Sequence, residues 1–157
     1  KFNDTLAKKK IIDIKQRDPF KKIAVLCANL EQIEELCFVD DESRRIINAF
    51  LPGPLTIILK GKEYDTIGVR IPNNEIALKI LNDNGPMSTT SVNLSGSEPI
   101  NDPSEIRDKY SSLVNYIYID DNPKLSMKSS TVLDMTNGLQ ILREGAISLE
   151  DIKKVLQ

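Results

Sequence analysis

The densest run of side chains suited to ligand binding lies in residues 85–96, which read GPMSTTSVNLSG. The run holds five hydroxyl residues and one asparagine, and Thr89, Ser91 and Asn93 stand near the end of an apparent strand. Hydroxyls and amides that converge there with backbone N–H groups can bind phosphate or carboxylate oxygens, although none of these protein groups carries a full charge. The segment predicts a site for a small anion, and a Ser/Thr-rich strand followed by an ordinary turn is the equal alternative.

Two cations, Lys15 and Arg17, stand two residues apart in the run KQRDP, directly after a helical pattern. Pro19 stiffens the turn that follows, so the pair is suited to clamping a polyphosphate. The alternative is that both cations end a helix, where positive charge complements the negative end of the helix dipole. Taken alone, this segment favours the helix-ending interpretation.

A further candidate is Arg70 in the run TIGVRIP of residues 66–72. If this run is a strand, its period of two puts Thr66, Gly68 and Arg70 on one face of a sheet. The planar guanidinium of arginine binds a carboxylate through two parallel hydrogen bonds, which lysine does not. The pattern indicates an anion site, and a surface arginine paired with a nearby acid is the alternative.

The remaining candidates are Ser130 and Arg143, which lie in the runs SSTVLD (129–134) and ILREGA (141–146). Between the two runs stands Asn137-Gly138, a pair typical of a tight β-hairpin turn. The spacing predicts that such a hairpin brings Ser130 and Arg143 close to each other.

The composition excludes several kinds of active site. Histidine is absent, so the chain holds no Ser-His-Asp triad, Cys-His dyad or histidine-assisted phosphoryl transfer. Without a nearby base, none of the serines is an activated nucleophile. Cys27 and Cys37 are isolated thiols without metal-ligand spacing, and we expect them to fill the core.

Segments with strand and helix patterns alternate along the chain. The candidate strands are Ile23–Ala28, Leu55–Leu59, Thr66–Ile71, Pro86–Ser91, Tyr116–Ile119, Thr131–Met135 and Leu139–Leu142. The candidate helices are Lys1–Ile14, Leu30–Leu36, Asp41–Leu51, Glu75–Leu81 and Pro103–Tyr110, followed by a last helix capped by Ser148 with Asp151. The second and third strands are joined too closely for a parallel crossover, which predicts a mixed sheet in an α/β or α+β fold.

The length of 157 residues suits one domain, and 40% apolar with 28% charged residues is typical of a globular protein. No apolar run approaches the ~20 residues of a membrane-spanning helix, and no secretion signal is recognisable, so we expect a cytoplasmic protein without membrane association. Residues 1–22 hold eight Lys or Arg against three Asp. Such a basic segment attracts the phosphates of a nucleotide or of RNA, or it is a solvated helix face.

Six short motifs follow one another along the chain: KQR, PGPLT, GVRIP, TSVNLSG, SSTVLD and ILREGA. In this order and at these distances they resemble the KxRP, PGPLT, VRxP, SANxSG, PSTVVD and ILRxGA signatures of the YrdC-like family. The resemblance runs from about Lys10 to Ala146. It implies a YrdC-like twisted mixed sheet of about seven strands flanked by helices, in a single domain over residues 1–157.

The resemblance also implies an activity, that of a threonylcarbamoyl-AMP synthase. Such a nucleotidyltransferase makes L-threonylcarbamoyladenylate from ATP, bicarbonate and L-threonine and releases pyrophosphate, for the threonylcarbamoyladenosine modification at position 37 of tRNA. Mg²⁺ is expected to accompany the ATP phosphates without a protein ligand of its own. The implied partners are a threonylcarbamoyl transferase complex and tRNA or double-stranded RNA.

Matching each motif to its position gives the implied site residues. The residues that match ATP contacts of the family are Lys15, Arg17, Thr66, Ser91, Asn93 and Arg143. Arg70, Thr89 and Ser130 fall where the family holds threonine. No covalent nucleophile is required, because alignment and charge neutralisation suffice for this chemistry.

The sequence departs from the family pattern in two respects. Within the motifs, Asp18 stands beside the cation pair, where an anion is expected to weaken ATP binding slightly, and Val92, Ser129 and Leu133 are small changes of shape. More importantly, the family opens with a Pro-Thr-Asp-Thr-x-Tyr-Gly-Leu signature that these residues do not contain. We therefore expect the domain to be N-terminally incomplete, which puts the activity of this polypeptide by itself in question.

An RNA-binding YrdC-like module without synthase activity is the alternative function. Phosphate contacts from the basic residues 1–22 would give binding that weakens steeply with salt. Two features argue against this alternative. The uncharged hydroxyl cluster at Thr89–Ser95 suits a small-ligand pocket better than a nucleic-acid groove. We also expect no aromatic residue among the cations that could stack on bases.

Overall fold

The computed structural model describes residues 1–118 and 128–157. The chain forms two compact units. The first unit comprises residues 1–2, 22–89 and 126–157, and the second comprises residues 3–21 and 90–125. Whether these two units act as the expected single domain stays a prediction.

A mixed sheet organises the first unit. Its strands among the described residues are β1 (Ala24–Leu26), β2 (Leu55–Lys60), β3 (Thr66–Arg70), β4 (Met87–Thr89), β5 (Thr131–Asp134) and β6 (Gln140–Arg143). They lie in the order β4-β1-β3-β2-β5-β6. β1 pairs with β3 and β2 with β5 in parallel, and the other neighbours are antiparallel. The predicted mixed α/β fold is confirmed, with six strands among the described residues instead of the expected seven or so.

The sheet has two different faces because side chains alternate along each strand. On one face Val25, Ile57, Val69 and Leu133 are completely buried and form the centre of the core. The opposite face is here called the half-buried face. By strand register and burial it carries Thr56, Ile58, Thr66, Gly68, Arg70, Thr89 and Ser130. The prediction that Thr66, Gly68 and Arg70 share one face is confirmed.

Every helix of the described residues begins at a polar residue whose side chain accepts a hydrogen bond from a backbone N–H of the first turn. The helices are α1 (Thr5–Lys15), α2 (Leu30–Leu36), α3 (Asp41–Phe50), α4 (Glu75–Asn84), α5 (Pro103–Tyr110) and α6 (Leu149–Leu156). The predicted capping box of the last helix, from Ser148 to Asp151, is present. α1 and α5 belong to the second unit, and the other four helices to the first.

One predicted strand is wrong. Tyr116 and Tyr118 were expected in a strand over Tyr116–Ile119, but residues 116–118 form none, and Ile119 lies outside the described residues. Both tyrosine side chains are well exposed, at 84% and 69%. Their aromatic composition favours a strand, but a strand is stable only where its side chains pack on a neighbour, which these do not.

The two cysteines are buried and unbonded, as expected of core residues. Burial raises the pKa of the Cys27 thiol to about 12 and that of the Cys37 thiol to about 11. Neither thiol is therefore a nucleophile at neutral pH. Across the described residues, no helix is both long and apolar enough to cross a membrane.

Thr131 ties β5 to the segment before α6. Its buried hydroxyl donates to the carbonyl oxygen of Ile147 at 2.6 Å and accepts from the N–H groups of Gly145 (3.1 Å) and Ile147 (3.0 Å). Replacing Thr131 with valine keeps the shape but leaves these groups unpaired, so we expect the free energy of unfolding to fall by about 2–4 kcal/mol. Urea denaturation measures this, with the exposed Thr5→Val as the control; an equal effect of both substitutions would contradict it.

Candidate ligand-binding site

Arg70, the last residue of β3, is held by the turn of the PGPLT motif. Its Nε donates to the carbonyl oxygen of Gly53 at 2.9 Å, and the N–H of Gly53 donates to the carbonyl oxygen of Ile71 at 3.0 Å. A Cβ at Gly53 would lie 2.3 Å from the carbonyl oxygen of Phe50, so only glycine fits this close approach. The motif thus fixes the direction of Arg70. The two terminal nitrogens of its guanidinium have no acceptor among the described residues.

Arg143, the last residue of β6, is close to Ser130, as the hairpin spacing predicted. Its Nε and Nη2 donate to the carbonyl oxygen of Ser130 at 3.2 and 2.8 Å, and Nη2 also donates to Ser130 Oγ at 3.2 Å. Gly145 permits this arrangement, because a Cβ there would lie 2.3 Å from the carbonyl oxygen of Ser129. The ILREGA motif therefore positions Arg143 against β5.

The two arginines make the half-buried face electropositive. Burial lowers the pKa of the Arg70 guanidinium, and the positive charge of Arg143 lowers it further. Neither arginine forms an ion pair with a carboxylate of the described residues. Two neighbouring guanidiniums without an acid favour the binding of an anion, which relieves their repulsion. This geometry argues against the alternative of a surface arginine paired with a nearby acid.

Hydroxyl groups accompany the arginines on this face. The hydroxyl oxygens of Thr56 and Ser130 lie 3.2 Å apart, within hydrogen-bond distance. Thr66 accepts a hydrogen bond from Lys22 Nζ, and the same ammonium lies 3.7 Å from Asp65 Oδ2. Thr89 belongs to this face through its register with Ala24. The first unit therefore brings together Arg70, Arg143 and Ser130, with Thr66 and Thr89 on the same face.

The sequence analysis did not predict that Thr56 and Lys22 contact residues of the candidate site. The sequence analysis includes Thr56 only as part of the PGPLT motif, yet Thr56 alternates with the buried Leu55 and Ile57 and so must point to the other face. That alternation was readable from the sequence. The contact from Lys22 to Thr66 joins residues 44 positions apart and had no local signal.

A separate cluster lies in the second unit around Lys15, the last residue of α1. Its ammonium donates to the carbonyl oxygens of Ser91 (2.6 Å) and Asn93 (2.8 Å) and to Asn93 Oδ1 (2.7 Å). Ser91 Oγ also donates to Asn93 Oδ1, and Asn93 Nδ2 donates to the carbonyl oxygen of Ser97 at 2.6 Å. Lys15 thus organises the loop of residues 91–97, and all three of its N–H donors are used there.

The charge of Lys15 is compensated only by neutral oxygens. The residue is 5% exposed, and burial, followed by the positive charge of Arg17, lowers the pKa of its ammonium. No carboxylate of the described residues pairs with it. The loop therefore carries a positive potential that favours an anionic ligand. The phosphate contacts expected of Lys15, Arg17, Ser91 and Asn93 stay predictions.

Asp18 shapes the turn that follows Arg17. Its Oδ1 accepts from the N–H of Phe20 at 2.9 Å, and its carbonyl oxygen accepts from Lys21 at 3.0 Å. Arg17 Nε lies 3.5 Å from the carbonyl oxygen of Lys21, at the limit of a hydrogen bond. Asp18 is therefore explained as a turn-forming residue.

No described part of the chain holds three or more His, Cys, Asp or Glu side chains placed to bind a metal ion. The second unit instead offers backbone carbonyls, hydroxyls and cations, and the half-buried face offers arginines and hydroxyls. These groups suit anionic and hydroxyl-bearing ligands.

Known proteins share this sequence and fold. The family described as Telomere recombination, which carries the names Sua5, YciO and YrdC, matches residues 1–145. A Methanocaldococcus jannaschii protein, provisionally named a threonylcarbamoyl-AMP synthase, is 35% identical over 158 residues, which cover 94% of this chain and 74% of that protein.

Two solved structures are similar as well. Pyrococcus abyssi Sua5, complexed with L-threonine, is 29% identical with a TM-score of 0.88, over 98% of this chain and 48% of that one. Escherichia coli YciO is 32% identical with a TM-score of 0.83, over 97% of this chain and 79% of that one. The chain thus spans about half of the Pyrococcus protein. Motifs, fold and similarities agree, and the chain belongs to the Sua5/YciO/YrdC family.

Proposed function

We propose that this chain is a threonylcarbamoyl-AMP synthase, a nucleotidyltransferase that makes L-threonylcarbamoyladenylate from ATP, bicarbonate and L-threonine. The observation that carries the proposal is the pair Arg70 and Arg143 on β3 and β6: the charge of Arg143 lowers the pKa of Arg70, and neither arginine has a carboxylate partner among the described residues. The L-threonine complex of Pyrococcus abyssi Sua5 supports an amino acid as a ligand.

The first unit would hold the amino acid. The two terminal nitrogens of Arg70 bind the threonine carboxylate. The hydrogen bond from Arg70 Nε to the carbonyl oxygen of Gly53 holds the guanidinium in place and leaves these nitrogens available. The hydroxyls of Thr89 and Ser130 lie on the same face and contact the remaining polar groups. Arg143, which Ser130 fixes, supplies positive charge for the nucleotide.

The second unit would contact the phosphates. Lys15 shapes the loop of residues 91–97, whose N–H groups and Ser91 hydroxyl then meet phosphate oxygens, and Arg17 adds charge. The ATP contact that the resemblance implies for Thr66, whose hydroxyl accepts from Lys22, stays a separate prediction. Mg²⁺ would be held by the phosphates and water.

The chemistry requires no covalent intermediate with the protein. Bicarbonate and the threonine amine lose water and form a carbamate, and a carbamate oxygen then attacks the α-phosphorus of ATP. A new P–O bond forms as the bond to pyrophosphate breaks, and the cations stabilise the charge that develops on the leaving group. The adenylate product would then serve a threonylcarbamoyl transferase complex that modifies tRNA.

An RNA-binding module without synthase activity is the second candidate. The structure corrects one argument against it: Phe20, between Arg17 and Lys21, is 92% exposed, so an aromatic ring does stand among the cations. Such a ring can stack on an unpaired base. The similarity to YciO, whose name carries no activity, is compatible with this candidate.

Product formation separates the two candidates. We expect the chain, given ATP, Mg²⁺, bicarbonate and L-threonine, to release pyrophosphate only when both threonine and bicarbonate are present, and to accumulate an adenylate detectable by mass spectrometry. Calorimetry should show that ATP and threonine strengthen each other's binding. RNA binding that falls steeply with salt, together with no binding of either small ligand, would reject the synthase in favour of the module.

A further inference from the structure

The hydroxyls of Thr56 and Ser130 form a pair on the half-buried face. Thr56 lies on β2 between the fully buried Leu55 and Ile57, so its side chain points away from the core. The pairing of β2 with β5 brings its Oγ1 to 3.2 Å from Ser130 Oγ. Arg143 Nη2 donates to the same Ser130 oxygen at 3.2 Å.

Counting protons shows what this pair offers to a ligand. A hydroxyl has one proton and two lone pairs. Arginine only donates, so Ser130 accepts from Arg143, and one of the two hydroxyl protons lies between Thr56 and Ser130. Whichever hydroxyl donates inside the pair, the other proton remains for an outside acceptor, and lone pairs remain for an outside donor. The pair thus presents a donor and an acceptor together.

Gly68 lies beside Thr56 on the half-buried face and carries no side chain. Its backbone does not adopt a positive φ. A Cβ built there would meet only Ile58 Cγ1 and Thr56 Cγ2, both at an ordinary contact distance of 3.6 Å. The fold therefore does not require glycine at this position, although glycine inside a strand lowers stability. A strand glycine that is not needed for a bulge or a tight bend is typical of a place where a ligand or another backbone segment comes close to the sheet.

The combination of a donor and an acceptor identifies the ligand group. A carboxylate needs only donors, and an ammonium group needs only acceptors, whereas a hydroxyl needs both. Arg70, on the same face, already offers the donors that a carboxylate requires. We infer that Thr56, with Ser130, recognises the side-chain hydroxyl of the amino-acid ligand, and that Gly68 provides the room in which this side chain lies. This inference rests on the proposed function.

The two residues then determine specificity for a β-hydroxy amino acid. The matched ligand without the hydroxyl is L-2-aminobutyrate, which keeps the carbon skeleton of threonine. A site built to hydrogen-bond a hydroxyl discriminates strongly against such an analogue, because its own polar groups are left unpaired. We expect the wild type to prefer L-threonine over L-2-aminobutyrate by at least about tenfold.

Calorimetry with both ligands, in the presence of ATP, tests the inference. We expect Thr56→Val to reduce the preference to less than about twofold by weakening threonine alone, and Thr56→Ser to restore it. Gly68→Val should weaken both ligands by at least about tenfold without lowering the melting temperature, because valine favours strands. Thr131→Val, the same change on the neighbouring strand but on the core face, should lower the melting temperature and leave the preference intact.

The outcomes distinguish this inference from the proposed function. A Thr56→Val protein that keeps the preference for threonine overturns the inference and leaves the synthase intact. A wild-type protein that binds neither amino acid overturns both. Loss of affinity for both amino acids in Thr56→Val, by equal factors, shows that Thr56 only shapes the site and also overturns the inference.

Discussion

Alanine at position 70 will weaken the binding of L-threonine by at least about a hundredfold, because removing one partner of a partly buried charged pair costs about 2–5 kcal/mol. Arg70 is held by Gly53 and has both terminal nitrogens available to a carboxylate. Because the Arg70 guanidinium is partly buried, water molecules in the alanine variant do not fully replace its hydrogen bonds to the carboxylate. Calorimetric titration with L-threonine, in the presence of ATP, measures the loss.

Two further variants make this expectation specific. Arg70→Lys keeps a positive charge but loses the planar fork and the hydrogen bond to Gly53, so threonine binding should be recovered only in part. Arg107→Ala removes an exposed arginine of α5 and should leave binding unchanged. Threonine affinity that is lost equally in Arg70→Ala and Arg107→Ala would show a general effect of net charge instead of a carboxylate contact.

Methionine at position 15 will disorder the loop of residues 91–97 and weaken ATP binding by at least about tenfold, since a hydrogen bond from a charged group contributes about 1.5–3 kcal/mol net. The substitution keeps the length of the side chain but removes donors to Ser91 and Asn93. Hydrogen exchange at the amides of the loop and calorimetry with ATP measure the two effects.

Lys9→Met is the matched control, because Lys9 is an exposed residue of the same helix. It should change neither hydrogen exchange in the loop nor the affinity for ATP by more than about twofold, as surface substitutions cost about 0.5 kcal/mol or less. If Lys15→Met weakens ATP binding while the loop stays protected, Lys15 contacts the phosphates directly. Unchanged ATP binding in Lys15→Met would remove the whole cluster from the proposed site.

Most of the secondary structure was predictable because its signals are local. α2 and α5 begin and end at the predicted residues, and the side chain of Asn29 or Asp102 caps the first turn. The strand at Thr131 is one residue shorter than predicted. The strand expected at Tyr116 failed because strand formation depends on a neighbour, which the sequence does not reveal.

The candidate site was predictable only in part. Period-two alternation placed Thr66, Gly68 and Arg70 on one face, and the Asn137-Gly138 hairpin placed Arg143 beside Ser130. The sequence could not show that Arg70 depends on the carbonyl oxygen of Gly53, since that contact depends on how two distant segments pack.

The sequence by itself determined the family, the order of the elements and the face on which each strand residue lies, because motifs, caps and alternation are properties of neighbouring residues. The tertiary structure decided which groups Lys15 hydrogen-bonds and which hydroxyl lies within hydrogen-bond distance of Ser130. These contacts, from Lys15 to Ser91 and from Thr56 to Ser130, join residues 76 and 74 positions apart. Only the folded chain brings such residues together, since their hydrogen bonds depend on burial and strand pairing.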